Sequence, residues 1–110
     1  MIEENLAGVV ERFNRHAEAN PAIRAELGGL ARTIRIRVTD EGTYAVDLRE
    51  GHLENLRSDG TGKADLTITT DRATLLGLIA KEIGPMKALV TRRLAIDGTL
   101  EDKLLFRKLL

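Results

Sequence analysis

The chain contains no cysteine and only three aromatic side chains, Phe13, Tyr44 and Phe106. The missing cysteine excludes disulfides, thiol catalysis and thiolate metal sites in one step, and it fits a reducing compartment. No run approaches the roughly 18 apolar residues of a membrane span. The acidic start MIEENLAGVV lacks the basic n-region of a signal peptide. These absences predict a cytoplasmic location without stable membrane insertion. A net charge is missing too, since 17 Lys+Arg balance 17 Asp+Glu. A dedicated nucleic-acid binder would be basic and patterned for phosphate contact, so nucleic acid is not an expected partner.

Means for catalysis are equally scarce. There are two isolated histidines, His16 and His52, and one serine, Ser58. No nucleophile-elbow context surrounds Ser58. The run Gly60-Thr61-Gly62-Lys63 lacks the spacing of a phosphate loop, and a strand follows it where a helix would be needed. The paired acids Glu3-Glu4 and Glu101-Asp102 sit at helix starts, where dipole and capping roles account for them. No enzyme activity, metal or cofactor is expected.

What is present is an aliphatic chain of one-domain size, residues 1–110. Hydrophobic residues make up 43%, and leucine alone occurs seventeen times. Such a lining suits a plain Leu/Ile/Val core, or a core that leaves room for an aliphatic guest.

Residues 2–19 carry Ile2, Leu6, Val9, Val10, Phe13 and Ala17 as one helical stripe, with His16 at its edge as a surface residue. Asn20-Pro21 restarts a short helix that ends at Gly28-Gly29. The period then changes to two over 33–38, 43–48 and, less regularly, 52–57, a meander of antiparallel strands. Ile34, Ile36, Val38, Tyr44, Val46 and Leu48 share one face. Arg35, Arg37, Ala45 and Asp47 share the other, which reads as solvated with cross-strand charge pairs. Residues 64–70 form a fourth strand. Asp71 caps a helix predicted to run to Ile83, with Thr74, Gly77 and Lys81 opposite its apolar stripe and Gly84-Pro85 as its stop. A short helix over 85–90 and a strand over 94–97 follow. Thr99 to Asp102 resembles a capping box for the last helix. Its apolar residues Leu100, Leu104, Leu105, Phe106, Leu109 and Leu110 spread around most of the circumference, more than one buried face needs. Residues 81–110 are locally basic, with seven basic and four acidic residues.

Three stretches carry a resemblance: Ala64-Asp65-Leu66-Thr67-Ile68-Thr69 with its Asp-started helix, Gly84-Pro85-Met86-Lys87-Ala88, and Arg93 to Leu104 (RLAIDGTLEDKL). In order and spacing they are similar to the sterol carrier protein 2 (SCP2) family. The resemblance implies an α/β (α+β) domain: a five-stranded, mainly antiparallel sheet, helices over one face, and an apolar tunnel between them. It also implies binding or transfer of fatty acids, fatty acyl-CoA esters, sterols or other lipids, without chemistry of its own. Carried onto this chain, the expected lining is Leu75, Leu76, Ile79, Ile83, Met86, Leu89, Val90, Leu104, Leu105 and Phe106. The basic residues Lys87, Arg92, Arg93 and Arg107 are candidates to meet a carboxylate or the phosphates of coenzyme A. Two departures are visible. The chain ends Arg107-Lys108-Leu109-Leu110 instead of in a peroxisomal signal, and the segment after Gly98 is short, so the tunnel mouth differs or a partner chain closes it. The alternative is an accessory protein of the same fold that associates through its apolar C-terminal helix, as a homodimer or with another partner.

Overall fold

The computed structural model describes residues 2–109, with side-chain surroundings as far as Leu104. Helix α1 (Ile2–Ala19) buries Ile2, Leu6, Phe13 and Ala17, every third or fourth residue, and carries Glu3 and Glu4 where they favour its dipole. Asn20 then caps α2 (Pro21–Leu27), its side-chain oxygen accepting the Ala22 N–H at 3.1 Å. Proline at the first helical position costs nothing, because that N–H has no intrahelical partner.

Strands β1 (Ala31–Val38), β2 (Gly42–Arg49) and β3 (His52–Ser58) form the meander. The β2–β3 turn places Glu50 and Gly51 both at positive φ, 52° and 79°, as a two-residue hairpin of matching twist requires. Strand β3 is irregular because its register slips between Ala45 and Asp47 and Asn55 turns to φ 57°. Strand β4 (Leu66–Thr70) lies parallel to β1, and β5 (Leu94–Gly98) antiparallel to β4, giving the order β3-β2-β1-β4-β5. Ile34, Val46, Leu48, Leu53, Leu66, Ile68 and Leu94 are buried on one face of this sheet, the face that the helices cover.

The opposite face is less solvated than its alternation predicts. Ala45 is buried and Asp47 is only 8% exposed. The loop after β3 folds back there. Arg35 donates to the carbonyls of Thr61 and Gly62, and Asp59 accepts the Thr61 N–H at 2.9 Å. Asp47 is held by Asn55 Nδ2 at 3.2 Å and by Arg57 at 3.3 Å. The cross-strand charge pair therefore runs from β2 to β3.

Helix α3 (Arg72–Ile79) is capped by Asp71, whose carboxylate accepts the Thr74 N–H at 2.7 Å. That bond holds the Asp71 carboxyl below the usual range. The helix ends one turn before the glycine-proline pair. Lys81 adopts φ 60°, its N–H donates to Leu78 O, and the Glu82 N–H donates to Gly77 O at 2.8 Å. This left-handed terminus with crossed hydrogen bonds is a Schellman cap. The chain then folds back over Gly77, whose missing Cβ would lie 2.4 Å from Ile83 Cδ1. Thr74 and Gly77 are consequently buried instead of facing solvent. Helix α4 (Pro85–Val90) ends the same way, with Arg92 at φ 62° and the Arg93 N–H on Ala88 O.

Helix α5 (Leu100–Leu109) begins at Thr99, whose hydroxyl accepts the Asp102 N–H at 3.1 Å. The Asp102 side chain does not close a capping box. It accepts from Arg32 Nε at 2.8 Å, which ties α5 to the start of β1. This carboxylate hydrogen bond raises the Arg32 pKa above its ordinary value.

Candidate functional site

The apolar stripe of α1 does not meet the sheet along its whole length. Between α1, α3 and the covered sheet face lies a cavity of about 470 Å³. That volume lies within the usual range of small-molecule sites. Helix α1 contributes Leu6, Val9, Val10 and Phe13, and α3 contributes Leu75, Leu78 and Ile79. The floor is Ile34, Ile36, Val46, Leu53, Leu56, Ile68 and Leu94. Every one of these side chains is aliphatic or phenyl, so the space offers dispersion contact and no hydrogen bonds.

The remaining lining residues are Arg12, His16 and Lys81. All three are exposed, which puts them where the cavity meets solvent. Arg12 and His16 are four residues apart on α1 and so face the same way, one turn from each other. Lys81 reaches the mouth from the terminus of α3.

Helix α1 is fixed over the cavity by an amide clamp. Asn14 Nδ2 donates to Leu53 O at 2.8 Å, and Asn14 Oδ1 accepts the Leu53 N–H at 2.7 Å. Leu53 belongs to β3, an edge strand, so its outward backbone groups have no neighbouring strand. The Asn14 side chain stands in for one.

The residues picked from sequence divide. Leu75 and Ile79 line the cavity. Leu76 packs instead beside the cluster of Ile2, Leu6, Val38 and Tyr44. Ile83 and Leu89 pack against the main core away from the cavity wall. Met86, Val90 and Leu104 are 69%, 77% and 55% exposed, because α4 buries Ala88 and turns Met86 and Val90 outward. Lys87, Arg92 and Arg93 are exposed and stand off the cavity wall. The side chains of Leu105, Phe106 and Arg107 lie outside the described residues. Reading from sequence did not single out the α1 wall or the polar mouth. The available signal was Arg12 and His16, a basic pair at helical spacing beside an apolar stripe.

Among the described residues no cluster of His, Asp or Glu could hold a metal ion. No helix among them is long and apolar enough to cross a membrane.

Residues 10–110 match the family model of the SCP-2 sterol transfer family. No curated protein matches the chain. Among solved structures, the stereoselective inverting sec-alkylsulfatase Pisa1 from Pseudomonas sp. is 25% identical with a TM-score of 0.63. That match covers 79% of this chain and only 14% of the alkylsulfatase. The ubiquinone synthesis protein UbiJ is 19% identical with a TM-score of 0.63, over 94% of this chain and 85% of its own. Palmitated SCP2L2 from Aedes aegypti is 20% identical with a TM-score of 0.58, over 87% of this chain and 86% of its own. The last two likenesses are of fold.

Proposed function

The chain belongs to the SCP-2 sterol transfer family, and from that membership together with the cavity we propose that it is a non-catalytic carrier of one hydrophobic ligand. The candidate ligands are a fatty acid, a fatty acyl-CoA ester and a sterol, and the proposed setting is the cytoplasm. The observation that carries the reading is the apolar space of about 470 Å³ between α1, α3 and the sheet. Burying a methylene is worth about 0.8 kcal/mol. Ten methylenes would therefore contribute about 8 kcal/mol, enough to offset a large part of the freedom lost on binding. The fold neighbour from Aedes aegypti was solved palmitated, which favours an alkyl chain as occupant. The alkylsulfatase activity belongs to a much longer protein and is not carried over. The proposed lining is the set found at the cavity, with Leu75 and Ile79 shared between sequence and structure.

The test is calorimetric titration with palmitate, palmitoyl-CoA and cholesterol, repeated on Val10→Trp. The indole would occupy the space beside α1. One-to-one uptake of at least one ligand, lost in Val10→Trp, is expected. Failure of all three to bind would overturn the reading.

A second reading rests on a different observation. The exposed large apolar side chains, Met86, Val90, Leu100 and Leu104, all lie on α4 and α5, and such exposure favours association. A homodimer by light scattering that becomes monomeric in Val90→Glu/Leu104→Glu would support it. A monomer at high concentration would dismiss it.

A further inference from the structure

We propose that the cavity mouth is an anion site, in which Arg12, His16 and Lys81 select a single-chain amphiphile with a negatively charged head over a neutral lipid of equal chain length. The inference rests on the carrier reading and adds the ligand's charge, shape and orientation: tail inward, head at the mouth.

The polar lining is basic throughout, and no acidic side chain lines the cavity among the described residues. The chain as a whole is neutral, so this is a local arrangement. Its cations are also uncompensated. Arg15, Arg32, Arg49, Arg57 and Arg72 each pair with a carboxylate. Arg12, His16 and Lys81 make no ion pair or hydrogen bond among the described residues. An oxyanion entering beside them would gain charge-assisted hydrogen bonds, bidentate from the Arg12 fork. The apolar walls behind them lower the local dielectric and strengthen that attraction. A hydroxyl head gains much less.

Lys81 adds a second, independent observation. It occupies the left-handed position of a Schellman cap at φ 60°, where glycine is favoured and an L side chain is strained. A cation there also interacts well with the helix C-terminus. Arg92 holds the equivalent position after α4, at φ 62°, so the dipole explanation applies to both. Only Lys81 lies on the cavity. The pair is therefore a built-in control: the same strain and the same helix-end role, with and without access to a ligand.

Carboxylate and sulfate heads share this chemistry, and a titration separates them. The probes are hexadecanoate, hexadecyl sulfate and hexadecanol, all kept below micelle formation. Wild type is expected to bind at least one anion about tenfold tighter than hexadecanol, which is about 1.4 kcal/mol. Whichever anion binds tighter identifies the preferred head. Arg12→Gln and Lys81→Asn should each cut anion affinity severalfold and leave hexadecanol within about twofold. Lys81→Gly should raise the melting temperature while weakening anion binding. Arg92→Gly should raise the melting temperature and leave anion binding unchanged. If hexadecanol binds as tightly as both anions, or if the double variant Arg12→Gln/Lys81→Asn retains the preference, the anion site is overturned and the carrier reading stands. If none of the three binds, the carrier reading fails and the anion site falls with it.

Discussion

Replacing Asn14 by Ala removes the amide that pairs with both backbone groups of Leu53. Each hydrogen bond is worth about 1 kcal/mol net, and a group left unsatisfied away from water costs about 1–3 kcal/mol. The site is only partly buried, so water can reach the freed groups in part. The expected loss is about 2 kcal/mol. With an unfolding entropy of about 2.1 cal/mol/K per residue, the whole chain loses about 0.23 kcal/mol per degree, so the melting temperature should fall by about 9 °C. Asn14→Leu should do the same, because it restores bulk without donor or acceptor. The local signature is sharper than the global one. The Leu53 amide should exchange with solvent much faster, while amides in β1 and β4 change only in step with global stability. Asn14 lies between Arg12 and His16 on α1, so looser docking should also speed release of any cavity ligand. A melting temperature within about 2 °C of wild type, with the Leu53 amide still protected, would refute the clamp.

Other perturbations have equally definite outcomes. Asp102→Asn removes the charge that holds Arg32. The pair lies between an exposed one, worth about 0–1 kcal/mol, and a buried one, whose breaking costs about 3–5 kcal/mol. A loss of about 1–2 kcal/mol in denaturant unfolding is expected, and Arg32→Met combined with it should add little. Gly98→Ala places a Cβ 2.9 Å from Asp65 O at φ 155°, and should cost about 1–3 kcal/mol in the same assay. Asp71 has a folded pKa below its ordinary value of 3.8. Its contribution is complete above that value and disappears as pH falls through the folded pKa. Asp71→Asn keeps the cap but not the charge, so its thermal stability should approach that of wild type only under strongly acidic conditions.

Local chemistry was legible in the sequence wherever one short stretch decides the outcome. The α1 stripe, the Asn20 and Asp71 caps, the Pro85 start and the alternating strands all sit where their residue types demand. The SCP2 resemblance supplied the five-stranded sheet with helices over one face. Other features depend on residues far apart in the chain. The end of α3 was misread because its left-handed cap carries Lys81, not glycine, and because Ile83 folds onto Gly77. Asp47 looked solvated because nothing local shows that the loop through Thr61 and Gly62 covers its face. For the site, periodicity shows that Val9, Val10 and Phe13 point inward. It does not show whether they meet side chains or a gap. The aliphatic wealth of residues 75–90 drew the expected lining there, and only Leu75 and Ile79 from that stretch reach the cavity. Arg32 and Asp102 stand 70 residues apart, a distance over which no pattern links them.

The central claim, that an alkyl ligand lies between α1, α3 and the sheet, is tested most directly by methyl-labelled NMR with hexadecanoate. Intermolecular contacts from the chain methylenes to Val10, Leu75, Leu78 and Ile68 are expected, with Val90, Leu100 and Leu104 unaffected. Contacts confined to Met86, Val90, Leu100 and Leu104, with the methyls of Val10 and Leu78 unshifted, would contradict it.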